Sequence, residues 1–144
     1  MTKTLLDIAH GFLAAYADHD VDRMTAMCAG DAVVDYLPLG EAGRGSVQAT
    51  AVPLWRGFIA TFADFRPDVQ SSWEDADRRT AFIATVNRGT HRKDFQGIKA
   101  AGTEIALPHL FVIAIGDDDL IVKITAYWDN DTFYRQIGRP PASM

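Results

Sequence analysis

The sequence predicts a single α+β domain in which a curved antiparallel sheet wraps around helices to form a cone-shaped barrel. Residues 4–62 are dominated by apolar residues at helical spacing, whereas residues 68–128 follow a period of two. No linker rich in proline, glycine or serine divides the 144 residues. Helices followed by a run of strands favour a layered α+β domain.

The first helix is expected from Thr4 to about Ala17, because apolar side chains recur at spacings of three and four. A second helix is expected at Val21–Cys28, with Asp20 as its N-cap and Gly30 as its stop. The apolar face of the first helix contains Leu5, Ile8, Phe12 and Tyr16.

A short strand is expected at Ala32–Tyr36, and a long third helix after it. Ser46 can cap this helix, which is expected to run to about Phe62. Pro53 lies inside it and predicts a kink or a restart, because proline has no N–H to donate. The predicted buried stripe of this helix is Val47, Ala51, Trp55, Phe58, Ile59 and Phe62.

The remaining elements are strands that alternate between apolar and polar residues, separated by acidic turns. A last helical turn is expected at Asp131–Arg135, and the tail Pro140–Met144 is expected to be frayed. A strongly bent sheet around a long helix leaves a cup, which is the usual place for a ligand. The four strands are predicted at Asp68–Trp73, Arg79–Thr90, Glu104–Ile115 and Leu120–Trp128.

The composition is that of a globular protein, with 48% hydrophobic and 23% charged residues. A net charge of −5 argues against nucleic acid as a partner. No window approaches the ~18 apolar residues of a membrane span, and the N-terminus does not resemble a signal peptide. We therefore expect no membrane partner and a cytoplasmic location. Cys28, the one cysteine, is expected to be a buried small hydrophobe.

The four histidines, His10, His19, His91 and His109, show no spacing typical of a metal site. The glycines form no phosphate-binding loop. We therefore expect neither a metal nor a cofactor. His91 lies among charged residues near a hairpin end and is expected at the surface or in a dimer contact.

Three segments carry a resemblance to a known family. Residues 62–68 read FADFRPD, residues 89–98 read GTHRKDFQGI, and Asp129 is followed by FYRQIG at residues 133–138. Over nearly the whole chain, this pattern resembles the SnoaL-like polyketide cyclases of the nuclear transport factor 2-like superfamily. The resemblance implies a cone-shaped fold and a cofactor-free ring closure by intramolecular aldol reaction.

The resemblance also implies where acid/base groups would lie. The position of the cyclases' catalytic aspartate falls on Ala126, and that of their assisting histidine falls near Phe111. His109 lies two residues earlier on the same strand face and can take over the role. In the ketosteroid isomerases, which share the fold, the catalytic aspartate corresponds to Leu37 and the oxyanion tyrosine to Phe12.

His109 and Asp35 are the predicted acid/base pair, with Asp129 in reserve. Each has a structural alternative: a hydrogen-bonded core histidine, a solvated carboxylate at a strand end, and a helix cap. Tyr16 is expected to orient an oxygen of the ligand, or simply to pack. The predicted substrate-binding aromatic walls are Trp55, Phe58, Phe111 and Trp128.

We expect a small cofactor-independent enzyme that cyclises or isomerises a hydrophobic carbonyl compound by proton transfer. Such chemistry needs a base in an apolar pocket and a donor for the developing oxyanion. The expected assembly is a homodimer through the outer face of the sheet. Two alternatives stay open: a non-catalytic small-molecule binding protein, and a hydrolase or hydroxylase on the same scaffold.

Overall fold

The computed structural model describes residues 3–138, so the predicted frayed tail, Pro140–Met144, lies outside the described residues. Four α-helices and a six-stranded curved sheet form an α+β cone, which confirms the predicted fold class. In chain order the elements are α1 (Leu5–Ala17), α2 (Val21–Ala26), β1 (Cys28–Tyr36), β2 (Arg44–Ser46), α3 (Val52–Thr61), β3 (Arg66–Asp75), β4 (Thr80–Thr90), β5 (Glu104–Ile115), β6 (Ile121–Tyr127) and α4 (Asn130–Gln136).

The sheet is mixed rather than purely antiparallel. Its strand order is β2-β1-β6-β5-β4-β3, and β3 to β6 form an antiparallel meander. The first strand, β1, pairs with β6 in parallel. The expectation of an antiparallel sheet was wrong at this pair, because β1 and β6 are far apart in sequence and no local pattern reports their relative direction.

Local irregularities in the ladders account for much of the curvature of the sheet. The register shifts between Val69 and Ser71 in the β3–β4 pair, and between Ala114 and Ile115 in the β5–β6 pair. Bulges of this kind bend a strand and increase its twist. The sheet consequently curls toward the helices, and a cup remains on its inner face.

The first helix forms as the sequence predicts. Thr4 and Asp7 make a reciprocal capping box, with hydrogen bonds of 3.0 and 3.1 Å. The predicted apolar face of α1 is buried against the sheet. Ser46 also caps as predicted, by accepting from the backbone N–H of Ala49 at 3.1 Å. The chain then makes a π-helical turn and restarts as α3 at Val52, with Pro53 in the first turn, where its missing N–H costs nothing.

The region after α2 differs from the prediction. The helix ends at Ala26, and Cys28 already pairs with Ile121 in the sheet. Gly30 therefore lies within β1 instead of ending a helix. The short strand β2 was not predicted, because three residues carry no period and its pairing with β1 is a tertiary contact.

Each long strand presents alternate residues to the two faces of the sheet. In β1, Ala32, Val34 and Tyr36 are buried on the inner face, whereas Val33 is 40% exposed on the outer one. In β5 the odd-numbered residues from 105 to 115 point inward. This alternation determines which polar side chains point into the cup.

Candidate functional site

A cavity of about 620 Å³, including its open mouth, lies between the inner face of the sheet and the helices. Ten of its seventeen lining residues are phenylalanine, tyrosine or tryptophan, and none is a carboxylate, so the walls are apolar and without formal negative charge. The lining residues are Tyr16, Tyr36, Leu39, Phe58, Phe62, Phe65, Asn87, Phe95, Ile105, Leu107, His109, Phe111, Ala126, Trp128, Asn130, Phe133 and Tyr134.

The strand registers arrange part of this wall in rows. Tyr36 on β1 pairs with Ala126 on β6, and Ala126 pairs with Phe111 on β5. Two residues along β5, His109 stacks on Trp128 with ring centroids 4.8 Å apart. Ala126 has the smallest side chain of the first row, between Tyr36 and Phe111.

His109 is held in one orientation by its strand and its neighbours. Its Nδ1 lies 3.2 Å from the carbonyl oxygen of Leu107, to which it can donate in the neutral ring. The ring is stacked between Trp128 and Phe111, the latter at 5.5 Å. Among the described residues, Nε2 has no hydrogen-bond partner. The ring thus presents a lone pair on Nε2 to the cavity.

Burial keeps His109 uncharged. Desolvation in the aromatic walls lowers the pKa of His109 to about 4, and its hydrogen bond to the Leu107 carbonyl opposes that shift only in part. At neutral pH the imidazole is therefore neutral and able to accept a proton or a hydrogen bond.

Tyr16 reaches the cavity from α1. Its side chain is buried, and its ring packs on Phe65 at 4.7 Å and faces Trp55 at 6.5 Å. The hydroxyl makes no hydrogen bond to any residue of the described part of the chain. Burial raises the pKa of Tyr16 well above its ordinary value. The phenol stays protonated and can donate to a ligand.

Tyr36, which was not among the predicted site residues, provides a second phenol. Its hydroxyl accepts a hydrogen bond from Nε1 of Trp55 at 2.6 Å. Trp55 was predicted to line the cavity, and that placement was wrong. The indole is fully buried behind Tyr36 and Tyr16, because the helical stripe that predicts burial does not distinguish a cavity wall from the layer behind it.

Two asparagines complete the polar groups of the wall. Thr85 donates to Oδ1 of Asn87 at 2.7 Å, which fixes the amide on the inner face of β4. Asn130 donates to the carbonyl of Pro38 at 2.6 Å and accepts from Nε1 of Trp128 at 2.9 Å. Asn130 therefore locks the indole on which His109 stacks.

Asp35 does not face the cavity. It lies on β1 between the inward-facing Val34 and Tyr36, so its side chain is on the outer face, where its Oδ2 is 3.6 Å from Nε of Arg44. The predicted His109–Asp35 pair is consequently absent from the structure. The two side chains lie on opposite faces of the sheet because their strands present them in opposite phase.

Asp129 is the N-cap of α4 rather than part of the cavity lining. Its side chain accepts from the N–H of Asp131 at 3.1 Å and from the hydroxyl of Thr132 at 2.6 Å. The Thr132 hydrogen bond, more than any other interaction, lowers the pKa of this exposed carboxyl. Both oxygens are occupied by the cap, which leaves the carboxylate a weak base outside the cavity lining.

The segment 91–103 contributes Phe95 to the cavity lining. Phe95 stacks on Phe58 at 6.2 Å and meets Phe133 edge-on at 5.7 Å. His91, at the start of this segment, was expected at the surface, but it is fully buried against Phe62. Neither of its ring nitrogens has a hydrogen-bond partner in the described part of the chain.

Of the eight predicted site residues, Tyr16, Phe58, His109, Phe111 and Trp128 line the cavity, and Trp55, Asp35 and Asp129 do not. Tyr36 and Asn87 also face the cavity and were not among the predicted site residues. The strand period would have revealed both, since Tyr36 continues the series Ala32, Val34 and Asn87 continues Ile83, Thr85.

Two further features bear on the chemistry of residues 3–138. Within this range, no three histidine, cysteine, aspartate or glutamate side chains come together as a group that could hold a metal ion. None of the helices described is both long and apolar enough to cross a bilayer.

A curved α+β cone with an aromatic cavity at its centre defines the class of this protein. Residues 9–124 match the SnoaL-like domain family, and the chain belongs to that family. No curated protein matches the sequence. The predicted resemblance to SnoaL-like proteins is confirmed.

Solved structures share this fold at low sequence identity. A candidate polyketide cyclase, IdmH from Streptomyces antibioticus, has a TM-score of 0.81 and 23% identity, over 94% of this chain and 99% of its own. A candidate hydroxylase, AclR from Streptomyces galilaeus, has a TM-score of 0.82 and 17% identity, over 97% and 88%. A protein of ketosteroid isomerase-like fold from Catenulispora acidiphila, in complex with trimethylamine, has a TM-score of 0.77 and 15% identity, over 96% of each chain.

Proposed function

We propose that the protein is a small cofactor-independent enzyme that transfers a proton next to the carbonyl group of a hydrophobic compound. The observation that carries this proposal is the neutral His109, which presents an unpartnered Nε2 to an aromatic cavity. Tyr16 and Tyr36 place phenol groups in the same cavity. A base and hydroxyl donors in one apolar site are what enolisation needs.

In the proposed reaction, Nε2 of His109 takes a proton from the carbon beside the carbonyl. The electron pair of the broken C–H bond moves onto the carbonyl oxygen, giving an enolate and an imidazolium. The low pKa of the free ring makes it a modest base, but the new charges attract each other strongly in a medium of low dielectric. Tyr16 would donate a hydrogen bond to an oxygen of the substrate.

The enolate can then react in two ways. If a C=C bond adjoins the deprotonated carbon, the imidazolium can return the proton to the far carbon of the conjugated enolate, and the substrate is isomerised. If the enolate carbon instead attacks a second carbonyl of the same molecule, a C–C bond closes the ring, the first carbonyl is restored, and the new alkoxide takes the proton from the imidazolium to give the aldol product. Membership in the SnoaL-like family and the fold shared with candidate polyketide cyclases favour the second course.

The shape and composition of the cavity indicate a flat apolar substrate. Trp128, Phe111 and Phe58 present ring faces or edges to the same space. Aromatic walls of this kind stack on planar ring systems. A polyketide-like compound with fused or incipient rings fits this description.

A second candidate function is the binding of such a compound without turnover. The observation that favours it is the absence of a carboxylate among the residues that line the cavity. In that case Nε2 of His109 would accept a hydrogen bond from a ligand hydroxyl, and no proton would move.

Deuterium exchange of 2-tetralone, a flat two-ring ketone, separates these functions. The hydrogens beside its carbonyl exchange in D₂O, and proton NMR follows their loss. An enzyme is expected to accelerate the exchange above the buffer rate. Quenching of tryptophan fluorescence would report binding, and binding without acceleration would overturn the catalytic proposal in favour of the binding function.

We also propose a homodimer through the outer face of the sheet. Cross-strand neighbours form an apolar strip there: Trp73, 48% exposed, stacks on Phe82 at 5.6 Å, and Leu110 pairs with Tyr127, 45% exposed. Exposed apolar strips of this kind favour association. Sedimentation velocity is expected to show a dimer for the wild type and a monomer for Leu110→Lys. Gln48→Lys, at an exposed position outside the sheet, is the matched control.

A further inference from the structure

A short hydrogen bond joins Tyr36 in the cavity wall to Trp55 behind it. The indole N–H donates to the phenol oxygen at 2.6 Å, and both side chains are buried. Trp55 is carried by α3 and Tyr36 by the end of β1, so two rigid elements fix the pair. Neither residue is free to turn the phenol away from the cavity.

This contact leaves the proton of Tyr36 unused. The oxygen accepts from Trp55, and the hydroxyl hydrogen has no acceptor among the described residues. Since Tyr36 lines the cavity and no carboxylate does, an oxygen atom of a bound molecule is the natural acceptor. Burial raises the pKa of Tyr36, so the group remains a neutral donor at any working pH.

We propose that Tyr36 donates the hydrogen bond that binds the reacting carbonyl oxygen, and that Trp55 is the residue that positions it. An accepted hydrogen bond polarises a hydroxyl and makes it a stronger donor. The position is suitable, because Tyr36 lies beside Ala126, where the small side chain leaves space for the substrate. The inference rests on the proposed function and assigns the substrate's reacting oxygen to the β1 end of the cavity.

Tyr16 lies close enough to act with Tyr36. Its ring faces Trp55 at 6.5 Å, and the same indole holds the Tyr36 hydroxyl. Two phenols that both contact one indole and line one cavity can donate to the two lone pairs of a single carbonyl oxygen. Tyr36 is the fixed donor of the two, because Tyr16 has no described hydrogen bond that orients its hydroxyl.

The test measures, by infrared spectroscopy, the carbonyl stretching frequency of 2-tetralone that is labelled with ¹³C at its carbonyl and bound to the protein. A hydrogen bond to the oxygen lowers the frequency of this band relative to an apolar solvent. We expect a low frequency in the wild type, a return toward the apolar-solvent value in Tyr36→Phe, and a partial return in Trp55→Phe. Tyr127→Phe is the control, because the Tyr127 hydroxyl lies on the outer face of the sheet, away from the cavity, and its removal should leave the band unchanged.

Tyr36→Phe leaves the indole N–H buried without a partner, so the double variant with Trp55→Phe serves if the single one does not fold. An unchanged band in Tyr36→Phe, or the absence of any bound carbonyl band in the wild type, would overturn the assignment. The exchange rate of 2-tetralone is a separate readout, expected to fall roughly 100-fold in Tyr36→Phe, as when one oxyanion donor is removed. A shifted band without accelerated exchange would contradict only the catalytic proposal. Accelerated exchange with an unshifted band would contradict only the assignment of Tyr36 as the donor to the carbonyl oxygen.

Discussion

Ala126 and Phe111 lie directly opposite each other on neighbouring strands in the wall of the cavity. The resemblance to the SnoaL-like cyclases implied an acid/base aspartate at the position of Ala126 and a histidine near that of Phe111. In this chain the pair is a methyl group and a phenyl ring. Polar groups lie at adjacent places, with Tyr36 beside Ala126 in the same row and His109 one inward position along β5 from Phe111.

Restoring a carboxylate at this place should therefore add a base to the cavity. We expect Ala126→Asp to accelerate deuterium exchange of 2-tetralone by roughly 100-fold, the low end for a positioned general base. Ala126 is 1% exposed, so desolvation will raise the pKa of the new carboxyl. A raised pKa means that stability is present at low pH and is lost as the pH rises through that pKa.

The matched control is Ala126→Asn, which has the same size and no ionisable group. Urea unfolding at pH 5 and pH 8 should show a larger loss with rising pH for the aspartate variant than for the asparagine variant. Equal exchange rates in the two variants would show that the row of Tyr36, Ala126 and Phe111 is not where the reacting carbon lies.

The pH dependence of folding should reveal the buried neutral His109. Its pKa is lowered from 6.5 to about 4, so the unfolded chain takes up the proton first as the pH falls. Stability should consequently decrease between about pH 6.5 and pH 4, by about 3 kcal/mol from this group. Urea unfolding of the wild type and of His109→Gln across this range measures the difference. Parallel curves would mean that His109 titrates normally.

Removal of the Asp129 side chain should affect folding and leave proton transfer intact. Asp129→Ala deletes an N-cap with two accepted hydrogen bonds, which costs about 1 kcal/mol of unfolding free energy. Asp129→Asn should retain most of that stability, because asparagine also caps. An exchange rate for 2-tetralone that falls in both variants would contradict the assignment of Asp129 as a cap alone.

The buried ring of His91 should be replaceable by an apolar ring. Both of its nitrogens lack partners in the described part of the chain, and a buried polar group without a partner is destabilising. We expect His91→Phe to raise the unfolding free energy by about 1 kcal/mol and the melting temperature with it. The comparison is His91→Gln, which keeps polar atoms in place. A lower melting temperature for His91→Phe than for His91→Gln would show that the ring nitrogens are satisfied.

Local features of the sequence predicted much of the fold. The limits of α1 follow from the capping box of Thr4 and Asp7 and from one apolar face, and Pro53 marks the restart of α3. Gly30 misled the prediction because the pairing of Cys28 with Ile121, a long-range contact, extends β1 past it. The parallel contact of β1 with β6 is non-local for the same reason.

The site was harder to predict than the fold, because the chemistry of a residue type does not tell on which face of a strand its side chain lies. The alternation along the strand gives that information. Asp35 has a carboxylate that could act as a base. However, Val34 and Tyr36 on either side of it point to the inner face of the sheet, so Asp35 points to the outer face. His109 was found because it carries a polar ring in phase with the apolar residues Leu107 and Phe111. Trp55 was correctly expected to be buried, but only the three-dimensional contact with Tyr36 shows its place behind the wall.

The measurement that most directly tests the central claim is the deuterium exchange of 2-tetralone at saturating protein, compared between the wild type and His109→Gln. Fluorescence quenching should first show that both proteins bind the ketone. With Nε2 of His109 as the proton acceptor, the wild type is expected to accelerate exchange and the variant to lose roughly 10²-fold or more of that acceleration. Equal exchange rates in two proteins that both bind 2-tetralone would contradict the account.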